Sequence, residues 1–130
     1  MAYGLVNTVF NYWGHQSPRV TTVNLSAPAV GCRFVSVVAG GTEQMPNVAQ
    51  TGAGADAKGV LDGDGAEGDK RAVWSESEGI TVTAGAALTA GQAVESDAEG
   101  RAVPHTTGVK LGVANTDAAS GEYANIKLAL

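Results

Sequence analysis

Cysteine occurs once in this 130-residue chain, at Cys32, so the sequence offers neither an internal disulfide nor a cysteine-cluster zinc site. A lone thiol fits synthesis in a reducing compartment. Helical patterning is missing too: no segment carries the 3.6-residue apolar stripe of a three-turn amphipathic helix. No apolar run approaches the roughly 20 residues that span a bilayer; the longest, residues 34–39, is strand-sized. No Lys or Arg precedes Arg19, which leaves no signal-peptide n-region. Basic charge is scarce throughout, with eight basic residues against thirteen acidic and a formal charge of −5. Such a chain repels phosphate backbones and lacks the basic patch of a membrane-surface binder. The expectation is no nucleic-acid partner and no membrane.

What the chain has in quantity is small residues. Its 22 alanines and 18 glycines make up nearly a third of it, and Val (16) far outnumbers Leu (7). Charged residues are only 16%, whereas disordered chains pair low hydrophobicity with high net charge. The composition reads as one small folded domain with Gly-rich turns and Val-rich strands. Period-two alternation supports this. Ile80, Val82 and Ala84 alternate with Thr81 and Thr83; Val109, Leu111 and Val113 alternate with Lys110 and Gly112; Ala124, Ile126 and Leu128 alternate with Tyr123, Asn125 and Lys127. Residues 33–38 are apolar on both faces and predict a central, doubly covered strand. Residues 39–58, with Gly40, Gly41, Pro46, Gly52 and Gly54, read as a long irregular connection. The fold class is all-β, a small compact barrel or sandwich spanning residues 19–130.

Residues 1–18 stand apart as an N-terminal arm. Four of the seven aromatics, Tyr3, Phe10, Tyr12 and Trp13, fall there, and Pro18 with the turn chemistry of residues 14–17 separates them from the domain. Two readings are evenly matched: a segment folded back to plug a small core, or an extended arm whose aromatics meet another chain.

The domain echoes itself. Gly59, Val60, Asp64, Ala66 and Gly68 recur as Gly112, Val113, Asp117, Ala119 and Gly121, 53 residues on, while Asp69 and Val73 match Glu122 and Ile126 in kind. A fainter echo sets residues 30–36 beside 90–96, at a separation of 60. The fold is therefore expected to contain two similar strand-turn-strand units. Such turn chemistry is common in Gly-rich β proteins and leaves descent from a duplication open. The echo also pairs Trp74 with Lys127. If Ile126 and Val73 face the core, Trp74 faces outward and is a candidate interface anchor.

No constellation converges on a reaction. Gly63, Gly65 and Gly68 satisfy G-x-G-x-x-G, yet a strand pattern follows where a nucleotide-binding helix should open. Asp62, Asp64, Glu67 and Asp69 resemble the start of a calcium loop, but the sixth and twelfth positions hold Glu67 and Val73 instead of Gly and Glu. A weak surface calcium site stays open at that point. His15 and His105 have no partner at ligand spacing. Cys32 sits in the most apolar stretch and reads as a buried thiol. Acidic pairs such as Glu76/Glu78 and Glu95/Asp97 read as solvated strand faces. The expectation is a non-enzyme without cofactor or metal.

From Gly59 to Leu130 the chain resembles the capsid decoration, or cement, proteins of tailed bacteriophages. The likeness rests on the order of several pieces: Gly59-Val60; Asp64 to Asp69 before a strand; Val82-Thr-Ala-Gly85-Ala-Ala-Leu-Thr-Ala-Gly91; Val94 to Val103; Gly112-Val113; Asp117 to Glu122; and a terminal alternating strand. The resemblance implies a β-rich protein added to the outer surface of an assembled head after synthesis in the host cytoplasm. It implies binding to the major capsid protein where subunits meet, commonly as a homotrimer, sometimes as a dimer. On that reading Tyr3, Phe10, Tyr12, Trp13 and Trp74 are the candidate capsid or subunit contacts. A small β module binding a ligand or host-surface glycan is the alternative, since Trp and Tyr near acidic groups also suit sugar stacking.

Overall fold

The computed structural model describes residues 19–129, and among them there are nine strands and no helix. The strands are β1 (Arg19–Leu25), β2 (Phe34–Val38), β3 (Asn47–Gln50), β4 (Gly59–Leu61), β5 (Lys70–Thr83), β6 (Ala93–Ser96), β7 (Ala102–Pro104), β8 (Gly112–Ala114) and β9 (Tyr123–Ala129). They form one sheet in the order β1-β3-β2-β4-β5-β9-β8-β6-β7, and β1 returns to pair with β5. β1, β3, β2, β4 and the first part of β5 therefore close into a five-stranded barrel. Closure removes the unpaired edges that an open sheet presents. The fold is the small compact all-β one that the sequence predicts.

Alternation decides which side chains fill which core. Val23, Leu25, Ala29, Val35, Val48, Leu61 and Val73 point into the barrel and are buried. A second core gathers Val82, Ala84, Leu88, Val94, Leu111, Ala114, Ala124, Ile126 and Leu128 beneath the remaining strands. Phe34 and Val60, from the barrel, belong to this second core. Successive residues thus serve different cores: Phe34 and Val60 one, Val35 and Leu61 the other. The doubly covered strand expected over residues 33–38 is real at Phe34 and Val35 but ends there, because Val37 and Val38 are exposed.

The two units repeat each other in full. β1 pairs with β5 as β5 pairs with β9, β2 with β3 and β4 as β6 with β7 and β8, and β4 with β5 as β8 with β9. The parallel pair Leu25↔Val48 that closes the barrel has its counterpart in the bridge Ala84↔Ala102, and the bridge Ala29↔Gly65 in Leu88↔Ala118. Backbone bonds repeat likewise: Leu25 N–H donates to Asp69 O as Ala84 N–H does to Glu122 O. A Cβ on Gly59 would strike Trp74 O, and one on Gly112 would strike Lys127 O, which explains this glycine in both units.

Three sequence expectations need correction. The fainter echo runs at a separation of 59, not 60: Ala29 matches Leu88, and Cys32 matches Gly91 through the equivalent bonds Cys32 N–H to Leu61 O and Gly91 N–H to Ala114 O. Cys32 has φ 59° where Gly91 has φ 88°, so a left-handed position is filled by a non-glycine and the letters mislead. The connection 39–58 contains β3, hidden because only Val48 among its four residues enters the core. In the 109–113 alternation the strand begins only at Gly112, so Ala114 faces the core and Val113 points away from it.

The equivalence of Cys32 and Gly91 has a measurable outcome. Gly91→Ala is expected to cost about 1–2 kcal/mol, since a Cβ there meets open space but holds a left-handed φ. Cys32→Gly relieves that strain and adds chain entropy to the unfolded state, leaving stability within about 1 kcal/mol of wild type. Urea unfolding of the two variants distinguishes these outcomes.

Candidate interaction surface

A row of cross-strand neighbours crosses the outside of the barrel: Val20 opposite Trp74, Trp74 opposite Val60, Val60 opposite Phe34. Burial rises along it, from an exposed Val20 through a half-buried Trp74 to a buried Val60 and Phe34. Val73 and Ile126 are fully buried, so Trp74 points away from the barrel interior. It lines a hollow of about 480 Å³ at the seam between the units, together with Cys32, Leu61, Asp62 and Ile80. A second hollow, lined by Val30, Arg33, Asp64, Thr83 and Tyr123, meets the first at Cys32 and Asp62. The sequence brings one member of this surface to attention, Trp74. It misses Cys32, Ile80 and Tyr123, which come from separate segments and meet only once both units are folded. Tyr3, Phe10, Tyr12 and Trp13 lie outside the described residues.

The carboxylates around the seam are occupied by turn geometry. Asp64 Oδ1 accepts from Gly31 N–H at 2.7 Å, Asp62 Oδ1 from Ala72 N–H at 3.3 Å, and Asp69 Oδ2 from Ala66 N–H at 2.9 Å. The second unit uses the same device: Asp117 Oδ1 accepts from Ala90 N–H at 2.8 Å and Glu122 Oε1 from Ala119 N–H at 2.9 Å. Among the described residues no three His, Cys, Asp or Glu side chains converge as a metal would require. The calcium-like spacing of residues 62–69 is thus accounted for by capping. The Cys32 thiol is pushed above its ordinary value by burial and by the nearby Asp64 charge, which makes it a poor thiolate.

One carboxylate departs from its sequence reading. Glu95 is buried, at 8% exposure, where a solvated strand face was expected. Its Oε1 accepts from Thr106 N–H at 2.6 Å and Gly108 N–H at 3.1 Å, pinning the connection from β7 to β8. Ser36, its counterpart in the first unit, holds the β3–β4 connection by bonding to Thr51 Oγ1 and Asp56 O. The Thr106 bond is the largest influence holding the Glu95 carboxyl below its ordinary value; burial opposes it and the Gly108 bond adds to it. Asp97, the other member of the pair, caps the β6–β7 turn by accepting from the N–H groups of Glu99 and Arg101.

Fold and surface together define a repeated, closed β scaffold with an apolar seam. No protein-family model matches the chain, and no curated protein matches its sequence. Among solved structures, the fold is similar to the N base of the head fiber gp8.5 of bacteriophage phi29. The TM-score is 0.72 at 17% sequence identity, over 87% of this chain and 95% of that one. Two chains this far apart in sequence share a fold, and the fold extends over nearly the whole of both.

Two outcomes follow from these geometries. Trp74→Ala removes a half-buried side chain outside the barrel and is expected to cost about 1–2 kcal/mol, against about 2–5 for Leu61→Ala within it; denaturant titration compares them. Glu95→Gln is expected to lower the melting temperature at pH 7. A carboxyl held below its ordinary 4.5 contributes stability above that pH and loses it as pH falls through the lowered value. The gap between wild type and Glu95→Gln should therefore narrow in acid, and melting curves from pH 7 down to pH 3 test it.

Proposed function

We propose that this chain is a structural, non-catalytic component of a tailed-phage particle, attached to the outside of the assembled head. There it ties neighbouring major capsid protein subunits together as a cement protein. The observation that carries this reading is the likeness of fold to a phage head-fiber base, extending over 87% of the chain. The ordered turn-and-strand pattern from Gly59 to Leu130, which resembles the decoration proteins, supports it independently. Charge is consistent as well: a protein of −5 suits the outer face of a shell better than an inner face against DNA. So is mechanics, since a closed barrel fused to a second unit deforms little under load.

Attachment as a homotrimer matches a point where three equivalent shell surfaces meet, and three linked contacts raise the effective concentration of each. Trp74 at the seam and the arm aromatics Tyr3, Phe10, Tyr12 and Trp13 are the contacts this reading assigns to the shell or a neighbouring copy.

The test mixes purified protein with heads assembled without it, followed by co-sedimentation and imaging of the particles. Added density on the outer surface where shell subunits meet is the expected result; binding to host envelope in place of heads overturns the reading. Light scattering should give three times the chain mass, and a monomer at high concentration removes the trimer from it.

A further inference from the structure

The second unit carries a plain version of the β2–β3 hairpin. Its counterpart, the β6–β7 turn, is short, polar and closed on itself: Asp97 Oδ1 accepts from Glu99 N–H and Arg101 N–H, both at 2.8 Å, and Asp97 Oδ2 meets Arg101 Nε at 2.7 Å. In the first unit the separation between equivalent residues drops from 59 on β2/β6 to 54 on β3/β7, so its hairpin is five residues longer. The added length serves neither core. Residues 37–44 are exposed, with Val37 at 56% and Val38 at 36%, and Met45 and Pro46 are half-buried on the return.

The extension is nevertheless braced. Thr42 and Met45 exchange backbone hydrogen bonds of 3.1 and 3.3 Å, and Thr42 Oγ1 accepts from Met45 N–H as well. Asn47 Nδ2 donates to Ala39 O at 3.3 Å, while Asn24 Nδ2 donates to Asn47 Oδ1 at 2.9 Å and fixes the stem to β1. Gly40 turns the chain at φ 102°. An element that exposes aliphatic side chains on a fixed backbone loses little freedom when it docks.

We propose that this hairpin is a docking finger whose Val37, Val38 and Met45 side chains enter an apolar pocket on a shell subunit. The proposal rests on the head-attachment reading above and adds the surface that makes the contact. Composition selects the class of partner. Residues 37–46 carry one charge, Glu43, and no basic group, which excludes a phosphate backbone or an acidic surface. They carry no aromatic on which a sugar could stack. Size argues against a second copy of this chain, because a few side chains of this kind fall far short of the roughly 800 Å² per partner of a stable interface. A shell that grips the domain at other points needs only a foothold here.

The experiment compares wild type with the double variant Val37→Ser/Val38→Asp and with a graft in which residues 38–47 are replaced by the sequence of residues 97–101. Val109→Ser, an exposed aliphatic in the other unit, is the control. Melting temperature and light scattering report folding and assembly; co-sedimentation with heads lacking the protein reports binding. The expected result is a double variant that melts and assembles like wild type and binds heads at least tenfold more weakly, with the control unchanged. The graft, where folded, should show the same loss. If wild type binds and the double variant binds within twofold of it, the finger is wrong while head attachment stands. If light scattering shows that the double variant loses its assembly state, the hairpin is a contact between copies and the proposal is overturned. If wild type itself does not bind heads, both fall together.

Discussion

β5 belongs to both halves of the molecule, and neither half closes without it. Over 14 residues it gives its first part to β1 and β4 and its second to β9. Its inward side chains change core on the way, from Val73 in the barrel to Val82 in the second unit. The register shifts between Ser77 and Ile80, where the strand leaves one partner set for the other. Gly79 lies in that stretch, and a Cβ there would run into the Asn125 side chain. Further backbone bonds cross the seam: Phe34 N–H to Gly100 O at 2.7 Å, Thr83 N–H to Cys32 O at 2.8 Å, and Gly54 N–H to Ser96 O at 2.8 Å. With Phe34 and Val60 buried in the second core as well, separating the units would expose apolar surface and break ladder bonds at once.

The repeat also explains the composition. A five-stranded ring leaves little interior, so inward positions alternate large with small. In the second core Ala84, Ala102, Ala114, Ala118 and Ala124 sit among Phe34, Leu88, Leu111 and Ile126. The abundance of alanine, which in another chain would suggest helix, here marks places where strands approach closely. Glycine divides between two roles that recur in both units. One is close approach, at Gly59 and Gly112. The other is left-handed turns, as at Gly68 with φ 89° and Gly121 with φ 86°.

Sequence patterning reveals those parts of the fold in which neighbouring residues alternate over four positions or more. Val82 and Ala84, and Ala124, Ile126 and Leu128, face the core as their spacing predicts, and the Asp- and Gly-bearing turns lie where the echo puts them. Strands of three or four residues are too short to show a period. β3 stays hidden for that reason, and β8 is placed in the wrong register because Leu111 lies just before it and is buried anyway. Glu95 escapes notice because its partners, the N–H groups of Thr106 and Gly108, are backbone donors in a loop, and no side-chain pattern announces them. At the seam, the outward face of Trp74 is legible from its pairing with Lys127. The hollow beside it is not, since it needs Cys32 from before β2 and Ile80 from the far half of β5.

A repeated backbone separates what folding requires from what it leaves free. Where the two units agree in chemistry, as at Asp64 and Asp117 or at Gly59 and Gly112, each residue plays the same local part, capping the same turn or admitting the same strand. Where they differ while the ladder stays the same, folding does not dictate the choice. Trp74 stands where the second unit has the exposed Lys127, and the long apolar β2–β3 hairpin stands where the second unit has a short turn closed by Asp97. Both differences place apolar surface of the first unit in reach of solvent. An exposed aliphatic tip and a half-buried indole each give up some solubility with no return in core packing. Surface of that kind is retained where a partner covers it, and both pieces lie on the half of the molecule into which residues 1–18 lead.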